Sequence, residues 1–224
     1  MLIFVDRTTS FDDIDKRIFA DGFDRIMSRL RVGDRVFVQT IGGDYTKSET
    51  VFNQCLPGCP DEGLVNWLMG SCKSVIARGD LAQFRSNLAG DVRNLLEHPE
   101  SYKHSDIART VANLSRIHAA RAQKNGQAPV GLVFLFSDLL ENSTVVPWRM
   151  LAGRKAKAAL EAIRREEQLP ELHDAEVAAF GFGRSHDPKR SALSPPTARA
   201  VKDFWEAYFK QGGARDIYIG QYLN

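Results

Sequence analysis

The chain has 224 residues, 43% of them hydrophobic and 26% charged, with a formal net charge of +2. That length suits one generous domain with a real core, and a charge so near zero argues against nucleic acid or an anionic membrane as partner. No apolar run approaches the roughly 20 residues needed to span a bilayer.

Asp6 and Arg7 break the first apolar stretch early, which is not the pattern of a secretory signal. Met1 abuts that stretch directly, so a preceding segment remains open. Cys55, Cys59 and Cys72 are too few and odd in number for a disulfide framework, so a reduced, cytoplasmic setting with idle thiols is expected. The Cys-Leu-Pro-Gly-Cys spacing of Cys55 and Cys59 has no second Cys/His pair to complete a zinc site, and buried or idle thiols are expected there ahead of a structural or regulatory bond.

Residues 2–5 form a short apolar run ending in Asp6, the pattern of a buried strand. Ser10 and Asp12 are candidate N-caps for a helix whose apolar stripe is Phe19, Phe23, Ile26, Met27 and Leu30, with Gly33 at its end. Residues 35–41, β-branched and aromatic, predict a second strand. The Gly42-Gly43-Asp44 turn returns the chain as a hairpin strand over 49–56. Helices are predicted over 64–69, 81–96 and 107–122, the last stopped at Asn125-Gly126.

Residues 130–136 are the most apolar segment and predict the strand at the sheet centre. A helix over 154–168, a strand over 176–182, an exposed loop over 184–196, a helix lined by Val201, Phe204, Trp205 and Tyr208, and a strand over 216–219 complete the order. Alternation of strands and helices implies one α/β domain over residues 1–224. Its sheet is doubly wound, six-stranded and mostly parallel, with one antiparallel edge strand and helices on both faces, a Rossmann-like arrangement.

In such a sheet, ligands bind at the carboxyl ends of the strands where the winding reverses, between the first and fourth parallel strands. There the first strand carries Asp6, Thr8 and Ser10, and the central strand is followed by Ser137 and Asp138. Two carboxylates and several hydroxyls are a hard-oxygen donor set, suited to magnesium, which is commonly held by one or two carboxylates.

The Asp-x-Thr-x-Ser pattern after one apolar strand, with Asp closing a later one, resembles the metal-ion-dependent adhesion site (MIDAS) of von Willebrand factor A domains. The resemblance extends to the strand–helix order over nearly the whole chain. It implies a Mg²⁺ (or Mn²⁺ or Ca²⁺) site at Asp6, Thr8, Ser10, Ser105 and Asp138. Ser105 stands where the family has a Thr opening the helix before the central strand, with Asp106 and Thr110 as alternatives. Gly181-Phe182-Gly183 resembles the small-residue end of the family's fifth strand.

The function implied is a protein-interaction (adaptor) module that captures a partner's carboxylate on the ion, with no catalytic residues. Loops 44–48, 102–105, 141–148 and 184–196 would shape specificity. The alternative is a magnesium-dependent phosphohydrolase of the haloacid-dehalogenase type with Asp6 as nucleophile. It lacks a second acid at position 8, which is Thr, and a paired-acid motif late in the chain. No G-x-G-x-x-G turn follows the first strand, which argues against a dinucleotide.

His98 and His104 bracket the approach to Ser105, whereas His118, His173 and His186 are expected on helix surfaces or loops. Arg149, Arg154, Lys155 and Lys157 follow the central strand toward the crevice mouth, but they, like Arg184, Lys189 and Arg190, are expected on solvated faces instead.

Overall fold

The structure is a computed structural model that describes residues 1–8, 10–59, 74–98, 102–185 and 190–223. Six strands form one sheet: β1 (Leu2–Asp6), β2 (Arg35–Ile41), β3 (Thr50–Cys55), β4 (Leu132–Phe136), β5 (Glu176–Phe180) and β6 (Asp216–Ile219). Their order is β3-β2-β1-β4-β5-β6. Every neighbouring pair is parallel except β2 and β3. The antiparallel pair is the hairpin that the Gly42-Gly43 turn dictates.

The helices are α1 (Asp13–Ser28), α2 (Ser74–Glu97), α3 (Ile107–Lys124), α4 (Trp148–Ala152), α5 (Ala156–Arg165) and α6 (Pro195–Gln211). A 3-10 turn at Tyr45–Lys47 follows the Gly pair. Both faces of the sheet are buried, so side-chain alternation splits each central strand between two cores. Leu2, Phe4, Val133 and Leu135 pack with α3, α5 and α6, whereas Ile3, Val5, Phe134 and Phe136 pack with α1 and α2. This is why the strands read as unbroken apolar runs.

Local chemistry sets the helix ends. Asp12 caps α1, accepting from the Ile14 and Asp15 backbone N–H groups, while Asp15 reaches back to the Asp12 N–H in a capping box. Ser10, the other candidate cap, is exposed. Gly22 lets α1 approach β5, since a Cβ there would lie 2.5 Å from a ring carbon of Phe180.

α6 contributes the densest packing, with Phe204, Trp205, Tyr208 and Phe209 fully buried. Their polar tips are satisfied by backbone: Trp205 Nε1 donates to the Leu139 carbonyl at 2.8 Å, and Tyr208 Oη to the Ala108 carbonyl at 2.6 Å. One helix thus ties down both the loop after β4 and the start of α3, two of the walls of the crevice described below.

Three sequence expectations are corrected. The helix expected over 154–168 is the shorter α5, and an unanticipated short helix, α4, precedes it; Gly153 and Arg154, the latter at a positive φ of 59°, turn the chain between the two. His118 is not a surface residue but is 4% exposed under the edge of the sheet, its ring 4.2 Å from that of Phe37. Burial pushes its pKa down to about 4. Cys59 is disulfide-bonded, whereas Cys55 is free and exposed, so Cys59 is no idle thiol. The helix expected over 64–69, His186 and Lys189 also lie outside the described residues. Among the described residues no helix is long and apolar enough to cross a membrane.

Candidate metal centre

β1 and β4 are hydrogen-bonded neighbours, with Val5 opposite Phe136. The winding reverses between them, since α1, leaving β1, covers one face and α3, entering β4, covers the other. The polar residues that end the two strands, Asp6 and Ser137, therefore emerge side by side at a crevice that Asp15 of α1 also borders.

Asp6 is 2% exposed, and each of its oxygens is hydrogen-bonded. Oδ1 accepts from the Thr8 backbone N–H at 3.0 Å and the Thr8 hydroxyl at 2.7 Å, and Oδ2 accepts from the Ser137 hydroxyl at 2.6 Å. The Thr8 hydroxyl also lies 3.0 Å from Ser105 Oγ. Two carboxylates and three hydroxyls thus meet where sheet order brought them together.

Ser105 is positioned by a backbone bridge to Asn142, its N–H donating at 3.2 Å and its carbonyl accepting at 2.9 Å. Thr110 instead turns its hydroxyl back to the Asp106 carbonyl within α3, so of the alternatives only Ser105 reaches Thr8. Ser10 is exposed, and none of the cluster's hydrogen bonds runs to it. The alternation that aims Asp6 and Thr8 ends with the strand, so it does not extend to Ser10. His98 and His104 are exposed and outside the cluster.

Asp138 closes the crevice from β4. Its Oδ1 accepts from the Leu140 N–H at 3.1 Å, and Leu139 between them adopts a left-handed φ of 62°, a conformation rare for leucine. The Ser137 hydroxyl oxygen accepts from the Leu139 N–H at 2.9 Å. Asp6, Asp15, Ser137, Asp138 and Arg190 border a cavity of about 10 Å³, room for one water-sized occupant.

Burial pushes the Asp6 carboxyl up to about 6, and the Asp138 charge adds to the rise, against the hydrogen bonds from Ser137 and Thr8. Asp6 and Asp138 are thus two buried carboxylates bordering one small cavity. The oxygen-only donor set matches a hard divalent ion, so the residues present fit magnesium or manganese. Among the described residues no group of three or more His, Cys, Asp or Glu side chains is arranged to hold an ion, so two carboxylates and hydroxyls would have to suffice.

No protein-family model and no curated protein matches the chain.

Several residues at the site escaped sequence reasoning. Arg184 and Arg190 were expected in solvent, yet Arg184 is 8% exposed and both are ion-paired. Arg184 bridges Asp12 and Asp15, with 2.8 Å to an oxygen of each, and holds the Asp12 carboxyl well below the usual range. Arg190 Nη1 donates to Asp138 Oδ2 at 3.0 Å, and its Nη2 lies 3.4 Å from Asp15 Oδ2. Arg149, Arg154, Lys155 and Lys157 are exposed as expected.

Glu141, fully buried, accepts from the Ala108 N–H at 2.9 Å at the start of α3, and burial raises its pKa to about 8. The capping-box spacing of Asp12 and Asp15 was a usable signal. For Arg190 and Glu141 the sequence offers none, because their partners lie 52 and 33 residues away.

Proposed function

We propose that this crevice binds a divalent cation and, through it, an acidic group of a protein partner, as the resemblance to von Willebrand factor A domains implies. The observation that carries the proposal is the convergence of Asp6, Thr8, Ser105, Ser137 and Asp138 at the switch point between β1 and β4. Thr8, Ser105 and Ser137 would offer hydroxyl oxygens, with Asp6 orienting two of those hydroxyls from behind and Asp138 supplying the second charge. The bound ion would supply an electrophilic position for an incoming carboxylate.

The loops around the crevice suit such a partner. A pocket of about 500 Å³ beside Ser105 is lined by Lys47, Lys103, His104 and Arg109, with Asp44 and Asp106 opposing them. Burial raises the Asp106 pKa above its ordinary value. The phosphohydrolase alternative gains nothing, since both oxygens of Asp6 are already engaged by hydrogen bonds from Thr8 and Ser137.

Calorimetric titration with Mn²⁺ is the direct test. Saturable heat is expected from the wild type, with affinity reduced at least tenfold in Asp6→Ala and in Asp138→Ala. Absence of a saturable signal in the wild type overturns the proposal.

A further inference from the structure

The crevice already holds a cation of its own. Arg190 comes from the loop between β5 and α6, whose base is pinned as a short hairpin. Arg184 and Ala192 form an antiparallel bridge, the Ser185 N–H donates to the Ser191 carbonyl at 2.8 Å, and the Leu193 N–H donates to the Gly183 carbonyl at 2.9 Å. Arg184 also donates from Nε to the Arg190 carbonyl at 3.2 Å. From that base the Arg190 side chain, 11% exposed, borders the small cavity and joins Asp138 to Asp15, its Nη1 also donating to the Ser185 carbonyl at 3.0 Å.

Three features suit this guanidinium to leaving. Asp15 keeps a closer partner in Arg184, at 2.8 Å against 3.4 Å for Arg190, so withdrawal does not leave Asp15 an unpaired buried charge. Arg190 sits at a positive φ of 48°, which a non-glycine residue holds only at a cost of order 1–3 kcal/mol. Asp138 Oδ2, which Arg190 occupies, is the carboxylate oxygen that an incoming ion would claim.

Accordingly, we infer that Arg190 is a built-in competitor for the candidate metal centre: its guanidinium neutralises Asp138 until a divalent ion displaces it. The inference rests on the reading of the crevice as a cation site and adds its regulation. Ion binding then carries a conformational consequence, release of the Arg190 side chain from the crevice toward the face where an acidic partner would dock.

Two measurements test it. Mn²⁺ titration of Arg190→Gln is expected to give a dissociation constant at least about tenfold tighter than the wild type, a coupling of ordinary size between linked sites. A purely structural Arg190 would leave affinity unchanged or weaken it. The second uses wild-type protein alone, in case the variant folds poorly: limited trypsin digestion, read by mass spectrometry at the bond after Arg190. That cleavage should accelerate with Mn²⁺ relative to chelator and to the other tryptic sites, which a general loss of positive charge near the ion does not explain. Saturable Mn²⁺ binding with equal affinity in both proteins and no change in cleavage overturns this inference and leaves the metal site standing. No Mn²⁺ binding by either protein removes both.

Discussion

Glu141 offers a prediction whose size follows from its surroundings. It is fully buried at the start of α3, and its pKa is pushed from an ordinary 4.5 up to about 8, chiefly by burial. One carboxylate oxygen accepts from the Ala108 N–H, while Oε1 has no well-formed hydrogen bond. The folded protein therefore holds Glu141 protonated at neutral pH, while the unfolded chain ionises it. A group whose pKa rises on folding stabilises the fold fully below the unfolded value and loses that contribution as pH climbs to the folded one.

The losing window here runs from about pH 4.5 to about pH 8. Within it each pH unit costs about 1.4 kcal/mol, so the wild type should lose about 2–3 kcal/mol between pH 5 and pH 7 from this residue alone. Glu141→Gln replaces the acid with an amide that does not titrate. Urea unfolding followed by tryptophan fluorescence at pH 5, 6 and 7 measures both proteins. The stability of the variant relative to the wild type should rise by about 1.4 kcal/mol per pH unit. The test lies in this slope, because the fixed cost of seating an amide shifts one curve without tilting it. Parallel pH curves for the two proteins would refute the assignment of a protonated Glu141.

Two further outcomes are expected. Gly22→Ala should lower stability despite alanine's better helix propensity, worth about 1 kcal/mol. The new Cβ would meet the Phe180 ring, which is wedged against Phe136 and Phe19, and such overpacking costs about 1–3 kcal/mol. A thermal midpoint equal to or above the wild type's would contradict that packing. His118 gives an acid-side effect of opposite sign to Glu141: with a folded pKa of about 4 against an ordinary 6.5, it stabilises above pH 6.5 and loses that contribution as pH falls toward 4. His118→Phe, which keeps an aromatic ring beside Phe37, should flatten this acid limb in the same urea series, and an unchanged limb would count against the buried neutral imidazole.

How far the sequence carried depended on the range of the interaction. β2 and β6 were legible to the residue, because strand propensity and flanking turns are local. Asp6, Thr8 and Asp138 were legible because a polar residue ending an apolar strand marks a strand end, and sheet order makes those ends neighbours. Ser105 was read as a hydroxyl opening a helix, but Asp106 is that helix's N-cap and Ser105 is held one residue earlier by its bridge to Asn142. Ser10 was extrapolated from alternation beyond the point where the strand holds the chain, and it faces solvent. Arg184, Arg190 and His118 were placed in water because composition treats charge and polarity as surface signals. Their burial depends on Asp12, Asp15, Asp138 and Phe37, which only the folded chain delivers.

What the sequence determined by itself was the scaffold and its reactive edge: two-faced apolar strands, their helical crossovers, and carboxylates and hydroxyls at two strand ends. These follow from periodicity and winding, which act over a few residues or through the topology as a whole. What only the tertiary structure decided was the electrostatic state of that edge. Burial raises the pKa of both Asp6 and Glu141, and a guanidinium 52 residues from Asp138 in sequence is ion-paired with it. Desolvation and ion pairing act through space at a few ångströms, and no pattern along the chain encodes that distance.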